Sequence, residues 1–133
     1  MTNVLIVEDD SDIRNLLGDQ LQDKGCHVWR ASNGENALRR LSDEIPDLIF
    51  VDLMMPVMGG IGLISELQKS RRTKDTPVVL LTAVSTPDVT LRAIELGVKY
   101  RLTKPWEQGE LDYVLEQAIG LKSGEPDASA SRT

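Results

Sequence analysis

Apolar residues in this chain fall into short runs that alternate with helical periodicities. Val4-Leu5-Ile6-Val7 is the first run, closed by Glu8-Asp9-Asp10. Ile13, Leu16, Leu17 and Leu21 then recur at helical spacing. Asp10 or Ser11 can cap that helix, and Gly25 suits its stop. Cys26-His27-Val28-Trp29-Arg30 alternates in polarity, as an edge strand does. Ala37, Leu38 and Leu41 mark a short helix closed by Pro46. Asp47-Leu48-Ile49-Phe50-Val51-Asp52 reads as a buried strand, and Pro56 soon bars its continuation. Gly59 and Gly60 mark a flexible loop. Ile61, Leu63, Ile64 and Leu67 form the face of the next helix, whose end carries Lys69, Arg71, Arg72 and Lys74 as a solvated basic run. Pro77–Leu81 is the clearest strand, and Thr82 ends it. Pro87 suits the first turn of a helix running to Leu96, with Gly97 as its stop. Tyr100–Thr103 forms a last short strand before Lys104-Pro105. Leu111, Val114, Leu115, Ala118 and Ile119 give the final helix.

Five alternations of strand and helix predict an α/β fold: a doubly wound, five-stranded parallel sheet with five helices covering both faces. Right-handed crossovers bring the carboxyl ends of the strands to one edge. Glu8-Asp9, Asp52, Thr82 and Lys104 each fall at such an end, where open α/β sheets place their chemistry. Polar markers at four strand ends are improbable as caps alone. One domain is expected over residues 1–121. Residues 122–133 are small, polar and aperiodic, and read as a disordered tail or the start of a linker.

Composition narrows the function. A net charge of −6 argues against non-specific nucleic-acid binding. No run approaches the roughly 20 apolar residues of a membrane span, and the N-terminus lacks a signal-peptide layout. Cys26 is the only cysteine and His27 the only histidine, which excludes an internal disulfide and makes a zinc cluster untenable. A reducing cytoplasm fits this picture.

Glu8, Asp9 and Asp52 would crowd negative charge into one cleft. Neighbouring carboxylates raise each other's pKa unless a cation joins them. All-oxygen ligands with two or three carboxylates suit Mg2+. The main-chain carbonyl of Met54 is a further candidate ligand, whereas Asp10 suits a cap. A carboxylate beside Mg2+ can attack phosphorus and form an acyl phosphate. Lys104 is placed to pair with phosphoryl oxygens, and Pro105 makes a cis turn available there. Thr82 offers a hydroxyl donor. Taken singly, each residue has a bland reading as cap, solvated lysine or strand former.

Together these residues resemble the receiver domain of two-component response regulators, over about residues 3–120. Val7-Glu8-Asp9-Asp10 looks like the family's acidic pocket, and Asp52 in Val51-Asp52-Leu53-Met54-Met55-Pro56 like its phosphoacceptor segment. Leu81-Thr82-Ala83 looks like its switch segment, and Thr103-Lys104-Pro105-Trp106 like its lysine-proline segment, usually cis. The resemblance implies a flavodoxin-like topology and a Mg2+-dependent transfer to Asp52 from a histidine kinase or phosphotransfer protein. It implies a signalling module that catalyses its own phosphotransfer and dephosphorylation, rather than an enzyme in the usual sense. It also implies a switched surface on Pro87–Leu96, Tyr100–Thr103 and Gln108–Gly120, read by a protein target or output domain. A stand-alone receiver and a fragment of a larger regulator or hybrid kinase both fit.

The chain departs from the family at one place. An aromatic residue commonly stands three before the lysine; here that position is Arg101, and Tyr100 is one residue early. A one-residue shift on a strand reverses the face. Arg101 is therefore expected to make a charged contact on the output face. Met54 and Val84, two residues beyond Asp52 and Thr82, are apolar and cannot orient a water, which implies slow autodephosphorylation. Two rivals are weaker. An aspartyl-phosphate phosphatase generally wants an acid at the position of Met54. A dinucleotide-binding module would need a glycine-rich turn where Glu8-Asp9-Asp10 stands.

Overall fold

The computed structural model describes residues 1–55, 58–83 and 87–121, apart from the side chains at 87 and 89. Pro56, Val84 and the tail at 122–133 lie outside the described residues. Five strands and five helices alternate: β1 (Asn3–Val7), α1 (Ser11–Asp23), β2 (His27–Ala31), α2 (Gly34–Leu41), β3 (Leu48–Asp52), α3 (Gly60–Lys69), β4 (Val78–Ala83), α4 (Pro87–Glu95), β5 (Tyr100–Lys104) and α5 (Gln108–Ile119). All strand pairs are parallel, in the order β2-β1-β3-β4-β5. After β1 the chain turns one way to β2 and then the other way to β3, so the crevice between the β1 and β3 ends is the topological switch point.

Burial follows strand position. Every residue of β3 is buried, whereas β2 and β5 at the edges are only partly buried. The sheet separates two apolar layers. Val4, Ile6, Leu48, Phe50, Val79, Leu81 and Leu102 pack with Leu17 and Leu21 of α1 and with Leu111, Val114 and Leu115 of α5. Leu5, Val7, Ile49, Val51 and Leu80 pack with residues of α2, α3 and α4 on the opposite face. Phe50 is fully buried. Losing such a side chain costs about 3–5 kcal/mol, so β3 is a firm base for Asp52.

Local signals act mostly where the residue types indicate. Asp10 caps α1, accepting from the backbone N–H groups of Asp12 and Ile13 at 2.9 and 3.2 Å. Gly25 and Gly97 have positive φ, at 89° and 97°. Edges differ slightly from expectation: β2 starts at His27 and runs to Ala31, and β4 continues through Thr82 to Ala83. Gly60 is a correction. It is buried in the first turn of α3, and a Cβ there would lie 2.5 Å from the Asp52 carbonyl oxygen and 2.7 Å from Leu53 Cα. The glycine is needed for close packing of α3 on the end of β3, rather than for a flexible loop.

Candidate functional site

Strand alternation sorts the polar residues at the carboxyl edge. Glu8 continues the Val4 and Ile6 series, Asp52 the Leu48 and Phe50 series, and Lys104 follows Leu102, so all three belong to the α1/α5 face. Thr82 follows Leu80, on the face covered by α4. The structure accordingly brings Glu8, Asp52 and Lys104 together and directs Thr82 elsewhere.

Lys104 Nζ lies 2.6 Å from Glu8 Oε1 and 3.2 Å from Asp52 Oδ1. Glu8 and Asp52 are buried, at 0% and 3% exposure. Asp52 Oδ1 also accepts from the Met54 N–H at 3.1 Å, and Glu8 Oε2 from the Asp10 N–H at 3.2 Å. Burial, and then proximity to the Asp52 carboxylate, push the Glu8 pKa up to about 7, although Lys104 pulls it the other way. Burial alone would lower the Lys104 ammonium, but Glu8 and Asp52 outweigh it and hold its pKa above the usual value.

One oxygen from each of Glu8, Asp9 and Asp52 falls within a 4.8 Å cluster, with Asp9 exposed. Glu8 Oε1, though in ion-pair contact with Lys104, receives no hydrogen bond of good angle among the described residues. A buried, incompletely satisfied carboxylate oxygen beside two further carboxylates fits a hard divalent cation. The acidic cluster expected for Mg2+ is thus present.

Thr82 is buried, with its Oγ1 3.2 Å from Thr90 Oγ1 on α4 and donating to the Ala83 carbonyl oxygen at 3.1 Å. Arg101 is exposed, and among the described residues it forms no salt bridge. Tyr100 packs on the α1/α5 layer, on the opposite face from Arg101. Met54 is 59% exposed beside Asp52.

Two supporting side-chain contacts escaped the sequence, whereas the cis bond implied by the resemblance is present. Arg14 Nη1 donates to the Glu8 carbonyl oxygen at 2.8 Å, holding the acidic turn. The Lys104–Pro105 bond is cis, and Trp106 Nε1 donates to Gln20 Oε1 of α1 at 2.8 Å. The Trp106 side chain therefore braces the segment after Lys104. A charged residue at helical spacing or a tryptophan after a proline gives no hint of such partners. Thr90 carries no signal either, because one threonine in an amphipathic helix is unremarked.

The family model for the response regulator receiver domain matches residues 4–116. The chain belongs to the response regulator receiver domain family. This leaves the phosphatase and dinucleotide-binding alternatives without support. The chain is 37% identical over 109 residues to the probable transcriptional regulator ycf27 of Guillardia theta, covering 82% of this chain and 42% of that protein. It is 35% identical to the phosphate regulon transcriptional regulatory protein PhoB of Escherichia coli, covering 81% and 47%. The receiver thus spans less than half the length of these curated relatives. Among solved structures, Vibrio cholerae chemotaxis protein CheY4 is similar with a TM-score of 0.83 and 30% identity, covering 90% of this chain and 99% of that one. The signal receiver domain of a Syntrophus aciditrophicus histidine kinase is similar with a TM-score of 0.82 and 34% identity, covering 94% and 96%. The flavodoxin-like topology expected from the resemblance is the one observed.

Proposed function

We propose that Asp52 accepts a phosphoryl group from the phosphohistidine of a histidine kinase or phosphotransfer protein. The observation that carries this reading is Lys104 Nζ in contact with both Glu8 Oε1 and Asp52 Oδ1 at the switch-point crevice. In the transfer, an Asp52 carboxylate oxygen attacks phosphorus, a P–O bond forms, and the P–N bond to the donor imidazole breaks. The imidazole nitrogen keeps the bonding pair and is later protonated. Lys104 already contacts the Asp52 oxygen, so a short movement lets its ammonium pair with an incoming phosphoryl oxygen. The Met54 N–H helps orient the carboxylate. Mg2+, held by Glu8, Asp9, Asp52 and the Met54 main-chain carbonyl, would offset the charge of the transferring oxygens.

The acyl phosphate adds about −1.5 to −2 charge in a crevice already holding Glu8 and Asp9. Thr82 and Lys104 respond to it, and the surface of α4, β5 and α5, including Arg101, carries the change to a protein target or output domain. The chain's own chemistry is limited to this transfer and to loss of the phosphoryl group to water. Transcriptional regulators and a histidine kinase receiver are both among its relatives, and the same chemistry serves either setting. We place it in the cytoplasm, facing its kinase; no helix among the described residues is long and apolar enough to cross a membrane.

The test is incubation with acetyl phosphate and Mg2+ followed by phosphate-affinity electrophoresis. A retarded band is expected for the wild type and none for Asp52→Asn. A band that survives Asp52→Asn would place the phosphoryl group elsewhere.

A further inference from the structure

Thr82 and Thr90 form a pair of buried hydroxyls joining the end of β4 to the inner face of α4, with exposures of 5% and 6%. Their Oγ1 atoms are 3.2 Å apart, and Thr82 Oγ1 lies 3.1 Å from the Ala83 carbonyl oxygen. A threonine hydroxyl carries one hydrogen. While Thr82 donates to the Ala83 carbonyl, Thr90 is the donor of the pair; if Thr82 donates to Thr90, its hydrogen is equally committed. Either way that hydrogen must leave its present acceptor before it can serve an oxygen on the Asp52 side. Strand alternation sets the same requirement geometrically: Thr82 starts on the α4 face of the sheet, whereas Asp52 and Lys104 belong to the α1/α5 face.

We propose that Thr90 is a positioning residue, a latch that holds the Thr82 side chain against α4 in the unphosphorylated domain. The proposal rests on the reading of Asp52 as phosphoacceptor and identifies the contact that yields when Thr82 turns towards a phosphoryl oxygen. Breaking the Thr82–Thr90 contact removes one polar tie between α4 and β4, which also share the apolar cluster of Leu80 and Ala93. The helix thereby registers the phosphoryl group without help from an aromatic side chain at position 101, where this chain has an exposed arginine. A latch differs from simple mutual satisfaction of two hydroxyls in a measurable way. It opposes the phosphoryl-bound state specifically, whereas a purely structural bond changes stability alone.

The experiment titrates the full chain with beryllofluoride, a phosphoryl mimic, in saturating Mg2+ by calorimetry, with Mg2+ alone as the control. Thr90→Val and Thr90→Ala remove the hydroxyl by two routes, so a folding defect in one leaves the other, and Thr90→Ser retains it. Both hydroxyl-free variants are expected to bind beryllofluoride roughly two- to twelve-fold more tightly, the range of one net hydrogen bond. Thr90→Ser should match the wild type, and Mg2+ alone should bind all chains alike. Equal or weaker beryllofluoride binding by the hydroxyl-free variants, with the wild type binding, overturns the latch alone. So does a Thr90→Ser chain that behaves like Thr90→Val, because the hydroxyl would not be the cause. A wild type that binds no beryllofluoride overturns the phosphoacceptor reading, and the latch falls with it.

Discussion

On the α1/α5 side of the sheet's carboxyl edge, Glu8, Asp52 and Lys104 are joined by ionic contacts of 2.6 and 3.2 Å; on the α4 side, Thr82 and Thr90 share a neutral hydroxyl contact of 3.2 Å. Both groups are largely buried, yet they respond to different variables. The ionic group should shift with pH and with divalent cations, because burial makes each uncompensated charge costly. The hydroxyl pair is indifferent to both and changes only when a side chain turns. Under the proposed function, one sheet edge separates binding the phosphoryl group from reporting it. The separation follows from strand alternation: Asp52 lies on the parity of Phe50, and Thr82 on that of Leu80.

The comparison can be broken most directly at Glu8. Glu8→Gln should weaken Mg2+ binding by at least the roughly 10- to 100-fold that losing even an outer-shell partner costs, as measured by calorimetry. In the wild type, Mg2+ binding should weaken as pH falls through about 7, because the site must release the Glu8 proton before it takes the cation. Glu8→Gln should flatten that dependence; an unchanged pH profile would mean that Glu8 is not the titrating group. The sign for stability is opposite. With its pKa raised from 4.5 to about 7, Glu8 binds its proton more tightly in the folded chain. The metal-free protein should therefore lose stability as pH rises from about 4.5 to about 7, seen as a falling denaturation midpoint in buffered, chelated solution.

A smaller effect is expected at Met54, which is exposed and apolar beside Asp52 and cannot position a water. Met54→Glu should shorten the lifetime of the phosphorylated chain by up to about tenfold, below the ~100-fold of a fully positioned general base. An unchanged decay rate would remove Met54 from the water's path.

The smallest effect is expected at Arg101, which is exposed on β5. Arg101→Ala should weaken binding of the phosphorylated chain to its protein target by about 1 kcal/mol or less, as for an exposed ion pair. Identical affinity in both phosphorylation states, for variant and wild type, would exclude Arg101 from the output face.

Much of the fold was legible because the apolar runs of a parallel sheet are nearly continuous and its helices are amphipathic. β3 shows this best, with every residue buried between flanking polar signals. The acidic pocket and Lys104 were also legible, since strand ends gather at one edge in any doubly wound sheet. Gly60 was misread, because a glycine needed for close packing and a glycine needed for a loop look the same in sequence. Its role depends on the Asp52 carbonyl and Leu53 Cα, which reach it only once α3 docks on β3.

The sequence by itself determined the order of elements, the strand faces and the placing of Glu8, Asp9, Asp52 and Lys104 at strand ends, because these follow from local periodicity and a handed crossover. Only the tertiary structure decided who meets whom. It joined Lys104 to two carboxylates, braced Trp106 on Gln20, and bonded Thr82 to Thr90. Each of these depends on the approach of separately formed elements, and residue spacing along the chain does not encode that distance.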